Sequence, residues 1–289
     1  MWAILALGAA ALTSFNPVLY KRMLKDGEPI VVVWGVTLLA LLLLGSFTFA
    51  LARRPPGIDG LFVLAVLGSA GLNAVAHLAS AKALKMAEVS LITPLLIFSP
   101  VFTLLIAAVF LGETPSARGW LGVGLVLIGA YWLNLGGRAG WAAPFKALAS
   151  NPGVALVLLA GWLWAVTPLF EKVAIQHTRP QSPRFAAFVV AALLALTLTP
   201  AALSRGRAAI RKLALHRRDW LLAGLIAGTA PILGYTAYSL GFVGYVTTLF
   251  KLSPMMTVVW GFLFLKERGL AQRLPGSALM VTGAILIAA

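Results

Sequence analysis

The chain has 289 residues, of which 61% are apolar and only 11% charged, against about 45–50% and 25% in ordinary soluble domains. Such proportions exclude an ordinary soluble enzyme. The 23 basic and 8 acidic residues leave a net charge of +15, but the basic residues sit in short clusters between apolar runs, as in membrane-protein loops and unlike a nucleic-acid-binding face. With no cysteine, disulfide and thiol chemistry are also excluded.

A bilayer core about 30 Å thick is crossed by about 20 apolar residues at 1.5 Å of rise each. The sequence predicts ten such helices, at about 2–20, 29–52, 60–84, 89–111, 117–135, 153–175, 184–204, 219–242, 246–265 and 272–289. The fold class is therefore all-α, a polytopic membrane protein with ten transmembrane helices. No basic segment precedes the first apolar run, and Lys21, Arg22 and Lys25 follow it. That order argues against a cleavable signal peptide.

In chain order, the first helix carries Asn16-Pro17. Proline lacks an amide proton, so Pro17 is expected to bend the helix. On the third helix Asn73, His77 and Ser80 recur at i, i+4 and i+7, which is one face. They read as cavity lining or as interhelical hydrogen bonding, the latter worth about 0.6 kcal/mol per contact. Pro100 is the expected bend of the fourth helix. Glu113 follows that helix and Glu267 follows the ninth. Each is expected to cap the free amides at the start of the next helix.

Residues 138–151 read as a linker between a first half, 1–137, and a second half, 152–289. The sixth helix holds Trp162, Trp164 and the expected bend Pro168, and the eighth aligns Pro231, Tyr235 and Tyr238 on one face. Trp164 and Tyr235 are the preferred aromatic cavity walls because they lie near mid-span. The ninth helix holds Thr247, Lys251 and Pro254 at i, i+4 and i+7. An intramembrane lysine costs about 2.5–3.5 kcal/mol to insert and so usually faces a cavity; the alternative is a lysine that snorkels to the interface. Beside Thr247 and the carbonyl freed by Pro254, Lys251 is expected to hold an anionic group of a substrate. Glu88 and Glu171 count as near helix ends, so no acid is expected at mid-membrane. That tilts the expected substrate toward an anion or zwitterion.

The halves repeat. Asn16-Pro17 aligns with Thr167-Pro168, an offset of 151 (168 − 17). Ser99-Pro100 aligns with Ser253-Pro254, Glu113 with Glu267, and Gly122 and Gly129 with Gly276 and Gly283, all at an offset of 154 (254 − 100). Five helices per half is an odd number, so the repeats must be inverted, a transporter signature. Glycines seven residues apart are expected to let the last helices of the two halves pack closely.

The run Ala81-Lys82-Ala83-Leu84-Lys85 through Pro94, Ser99-Pro100-Val101-Phe102 and Phe110-Leu111-Gly112-Glu113 resembles the EamA repeat of the drug/metabolite transporter superfamily. The second half repeats it from Tyr235 through Ser253-Pro254 to Phe264-Leu265-Lys266-Glu267. The resemblance implies a ten-helix, exporter-like fold with a central cavity. It leaves the substrate open among amino acids, sugars, nucleotide sugars, choline and drugs. Aromatic amino acid exporters of this group tend to carry Trp before the fourth-helix proline. Here Ser99 stands there, which disfavours that substrate.

The expected function is secondary transport of a small organic metabolite by alternating access, with export the expected direction. The alternatives are a flippase for an anionic lipid-linked headgroup and, from another class, a membrane enzyme or scaffold subunit. Neither a metal-ligand spacing nor a nucleophile with a partnered base appears, so no metal, cofactor or catalytic residue is expected. The expected partners are a small-molecule substrate and membrane lipids, for a monomer or weak dimer in a bacterial cytoplasmic membrane. Numbering the nine connections in order, the odd ones carry 16 Lys and Arg and the even ones 6. Basic loops resist translocation, so odd connections are expected inside and both termini outside. The resemblance pulls the other way, toward cytoplasmic termini.

Overall fold

A computed structural model describes residues 1–51, 54–86, 99–135, 152–253, 255–256 and 270–288. Twelve helices and two very short strands appear among them. In order they are α1 (Trp2–Thr13), α2 (Asn16–Asp26), α3 (Pro29–Leu51), β1 (Gly57–Ile58), α4 (Gly60–Met86), α5 (Ser99–Phe110), α6 (Ala117–Leu135), α7 (Pro152–Gln176), β2 (Thr178–Arg179), α8 (Pro183–Leu203), α9 (Gly206–Leu215), α10 (Arg217–Leu240), α11 (Val243–Phe250) and α12 (Leu270–Ala288).

Six helical stretches are long and apolar enough to cross a membrane: Trp2–Asp26, Pro29–Ala50, Gly60–Met86, Pro152–Gln176, Pro183–Leu203 and Arg217–Leu240. Shorter apolar helices occupy Ser99–Phe110, Ala117–Leu133 and Leu274–Ala288. The surface matches this reading. Large apolar side chains such as Val109 (78% exposed), Phe110 (76%) and Leu196 (69%) point outward. Water would penalise each of them, whereas lipid does not. The molecule is an all-α polytopic membrane protein.

Each of the ten expected segments contains described helix. The first is broken into α1 and α2 around Ser14-Phe15. Pro17 cannot donate to the carbonyl of Thr13, the last residue of α1, and the break falls there. The amphipathic α9 and the β1–β2 pair were not expected. The strands pair antiparallel, with Gly57 opposite Arg179 and Ile58 opposite Thr178. The ninth segment was expected to run unbroken through Lys251. Instead α11 stops at Phe250, and a turn follows at Lys251-Leu252. Pro254 and Glu267 lie outside the described residues, as do residues 136–151, which include the expected linker.

Small residues let the helices approach. α4 and α7 run antiparallel, with Ala76 and Ala79 packed near Ala160 and Gly68 against the ring of Phe170. α6 and α12 touch through glycines. A methyl group on Gly122 would strike the carbonyl of Gly283, and one on Gly283 the carbonyl of Gly122. Gly129 and Gly276 stand in the same reciprocal relation.

The connections sort into two ends. At one, Arg22 pairs with Asp219 (3.4 Å), His216 with Asp26 (3.0 Å), and Lys21 Nζ donates to the Leu84 carbonyl (3.0 Å). These join connections one, three and seven. At the other, the β1–β2 pair and the His177–Asp59 contact (2.7 Å) join connections two and six.

Candidate functional site: a polar chamber with a buried carboxylate

A cavity of about 320 Å³ lies among α1, α2, α3, α4, α7, α8, α10 and α11. Most of its wall is aliphatic, from residues such as Val33, Val36, Ala40, Val190 and Leu194. The polar wall is concentrated in a few side chains. Thr13, Asn16 and Tyr20 come from the broken first span, Thr37 from α3, Asn73 and His77 from α4, Glu171 from α7, and Tyr235 and Tyr238 from α10.

Among the described residues, Glu171 is the one carboxylate in this wall and is only 9% exposed. Its Oε1 accepts hydrogen bonds from Ser69 Oγ and Asn73 Nδ2, both at 3.3 Å. The Tyr235 hydroxyl also interacts with it. Among the described residues, neither lysine nor arginine lines the cavity, and no cation pairs with Glu171.

The expectation that no acid reaches mid-membrane is corrected here. Counting along α7 places Glu171 five residues from the helix end (176 − 171). Helical Cα–Cβ bonds tilt toward the N-terminus, however, so the carboxylate is carried back into the span. Its partner Asn73 is 13 residues from each end of α4 (73 − 60 and 86 − 73). The carboxylate thus abuts the midpoint of a neighbouring span.

Of the expected site residues, the structure brings Asn73, His77, Tyr235 and Tyr238 together in the cavity wall. Trp164 is not in that wall. It backs the site, its ring edge-on to His77 with centroids 5.4 Å apart. Thr247 and Lys251 are not among the lining residues either. The wall residue on α11 is Phe250, and Lys251 follows it in the turn that ends the helix. Thr247 bends its hydroxyl back to the Gly244 carbonyl at 3.0 Å.

Asn16 was read only as a neighbour of a proline. Its Oδ1 is buried at the cavity without a hydrogen-bond partner. Pro231 lines the cavity and denies the Ala227 carbonyl, one turn back in the same wall, its usual donor. Pro168 lies within α7, where Thr103 Oγ1 donates to the Ala165 carbonyl at 2.9 Å. Pro100 is the second residue of α5, so the described helix shows no bend at it.

Glu113 was expected to cap the helix that follows it. That helix, α6, is capped instead by Ser116, whose Oγ accepts from the Gly119 amide at 3.1 Å. Gly112, at φ 66°, turns the chain after α5. Beyond it, the buried Glu113 reaches α11 in the other half. Its Oε2 accepts from the Val243 amide at 2.7 Å, and its Oε1 meets Lys172 Nζ. Lys172 also donates to the Gly241 carbonyl at 2.8 Å. Glu113 is a helix cap in this geometry, but of a distant helix and with a cation attached.

A family model described as the EamA-like transporter family matches residues 1–135 and 151–289. The chain belongs to the EamA-like transporter family. Among solved structures, one described as "Crystal structure of protein" superposes with a TM-score of 0.75 at 17% identity, covering 99% of this chain and 95% of that one. That likeness concerns the fold alone. No curated protein matches the chain. An EamA-like transporter is a membrane transporter of the drug/metabolite superfamily, and the cavity just described is drawn from both matched stretches: α1 to α4 in the first, α7, α8, α10 and α11 in the second.

Proposed function

We propose that this EamA-like transporter is a secondary transporter that exports a small zwitterionic, amino-acid-like metabolite by alternating access through the central cavity. The observation that carries the reading is the cavity itself. At about 320 Å³ it falls at the lower end of the roughly 300–1,000 Å³ of small-molecule sites, mostly apolar with a few convergent polar groups. Transporter sites of this kind sit between two repeats near the midplane.

Ten spans in two inverted five-helix repeats are part of the proposal. The glycine contacts support it, because Gly122 meets Gly283, the repeat equivalent of Gly129, while Gly129 meets Gly276, the equivalent of Gly122. Such exchange of equivalents is what a two-fold axis between halves produces. Pro17, Pro168, Pro100 and Pro254 are the proposed bend points, and Glu113 and Glu267 the proposed structural caps. Lys251, with Thr247 beside it, is the proposed partner of a substrate carboxylate. In support, Lys251 directly follows Phe250 of the cavity wall and forms no ion pair among the described residues. The protein acts as a monomer or weak dimer among lipids of a bacterial cytoplasmic membrane.

The test is flux. Purified protein in liposomes, loaded in turn with amino acids, amines, organic acids and sugars, should show saturable counterflow of one class. A folded protein that moves none of them overturns the reading.

A further inference from the structure

We infer that Glu171 and Asn16 form a subsite for an organic ammonium group, so that the substrate is recognised by a protonated amine. The inference rests on the cavity being the substrate chamber and adds the sign and chemistry of what enters it.

Acceptors of the chamber stand without donors. Glu171 is a carboxylate with no basic partner among the described residues. Asn16 Oδ1 is an acceptor with no donor, and Pro231 frees the Ala227 carbonyl as a second. The obvious donor is already in use, since Asn73 Nδ2 is bonded to Ser69 Oγ at 3.2 Å and to Glu171. A guest that satisfies Glu171, Asn16 and the Ala227 carbonyl together brings N–H donors and positive charge. An ammonium group brings three donors and one charge. Nothing in the wall among the described residues offers an anion a fixed positive charge.

The aromatic wall fits the same guest. Tyr235 and Tyr238 stand with ring centroids 6.2 Å apart, and Tyr238 meets Phe250 at 5.9 Å. Faces of such rings attract cations. Both α4 donors address the same carboxylate oxygen, Oε1. They hold the carboxylate in place as a preorganised acceptor, so less ordering is required when the cation arrives.

The test separates ammonium recognition from transport by measuring binding in detergent. The probes are 3-methylbutylamine and phenethylamine, their acid counterparts 4-methylpentanoate and 3-phenylpropanoate, and leucine. Each is assayed by thermal shift and by titration calorimetry. The amines should stabilise the wild type and the acids should not. Glu171→Gln should weaken the amines at least tenfold, Glu171→Asp less, and Asn16→Ala a few-fold. If Glu171→Gln does not fold, the preference of the wild type for amine over acid still decides. Acids binding as well as amines, no binding by either amine, or a folded Glu171→Gln that binds amines unchanged would each overturn the inference. Amine binding without flux would instead sink the transport reading and leave the subsite standing.

Discussion

Glu113 and Lys172 are 59 residues apart in sequence and belong to different matched stretches, yet their side chains meet in a nearly buried ion pair, 7% and 13% exposed. The same two side chains also hold the Val243 amide and the Gly241 carbonyl. Three chain segments, the α5–α6 connection, α7 and the α10–α11 junction, are thereby tied at one end of the molecule.

Removing one member of such a pair leaves a buried charge alone, which costs on the order of 3–5 kcal/mol, whereas removing both is far milder. Glu113→Gln and Lys172→Met are each expected to lower the thermal unfolding temperature of the purified protein, although Gln keeps an acceptor for the Val243 amide. The double variant Glu113→Gln/Lys172→Met should recover part of the loss. Additive losses in that cycle would show that the two groups act independently.

The glycine seam makes a prediction with an internal control. A side chain at Gly129 would strike the Gly276 backbone, while Gly124 on the same helix has nothing within 4 Å. Overpacking costs about 1–3 kcal/mol even where neighbours can shift, and here the obstacle is backbone. Gly129→Val should sharply reduce the monodisperse folded yield and Gly124→Ala should not. Equal yields would mean that the seam is looser than described.

Lys251 is testable by ligand class. If it meets a substrate carboxylate, Lys251→Met should weaken leucine several-fold and leave 3-methylbutylamine unchanged in calorimetry. Leucine binding by the variant as tight as by wild type would reduce Lys251 to a lysine that only snorkels.

A pH dependence follows at the surface. Asp59 accepts from the Phe62 amide at 3.0 Å, capping α4, and contacts His177. The His177 contact, then the backbone amide, hold its carboxyl below the usual aspartate range. A lowered pKa stabilises the fold above the unfolded-state value and is lost as pH falls through the folded value. The unfolding temperature of Asp59→Ala should therefore lie below that of wild type at neutral pH, and the gap should close in acid. A gap that widens on acidification contradicts this sign.

The last prediction concerns sidedness. Connections one, three and seven meet at one end, and connection seven, the most basic of the nine, is among them. That end is expected in the cytoplasm. In this cysteine-free chain, exposed positions Thr114 and Ala208 mark the two ends. A membrane-impermeant thiol reagent on intact cells should label Thr114→Cys and spare Ala208→Cys. The reverse pattern would place both termini inside.

Much of this was legible in the residues, and the exceptions share a cause. Long uncharged runs announce spans because the bilayer imposes one length and one polarity, and the i, i+4 pair Asn73 and His77 announced the α4 wall because helical periodicity fixes a face. Glu171 was misjudged because linear distance to a helix end ignores side-chain tilt and the position of the neighbour it meets. Glu113 was assigned to the nearest helix start, but capping needs only an amide in reach, and the chain brings Val243 there from 130 residues away. Lys251 was read on an unbroken helix, whereas α11 ends at Phe250 and Lys251 lies in the turn that follows.

Among the described residues, α6 and α12 contribute nothing to the cavity wall, although their glycines bring the two backbones into direct contact. The chamber wall and what keeps that helix pair together are therefore written on different stretches of chain. An engineer could select for durability on the outward sides of α6 and α12, at positions such as Leu121 and Ile285, without altering the chamber wall. Conversely, the chamber side chains could be exchanged while the seam stays untouched.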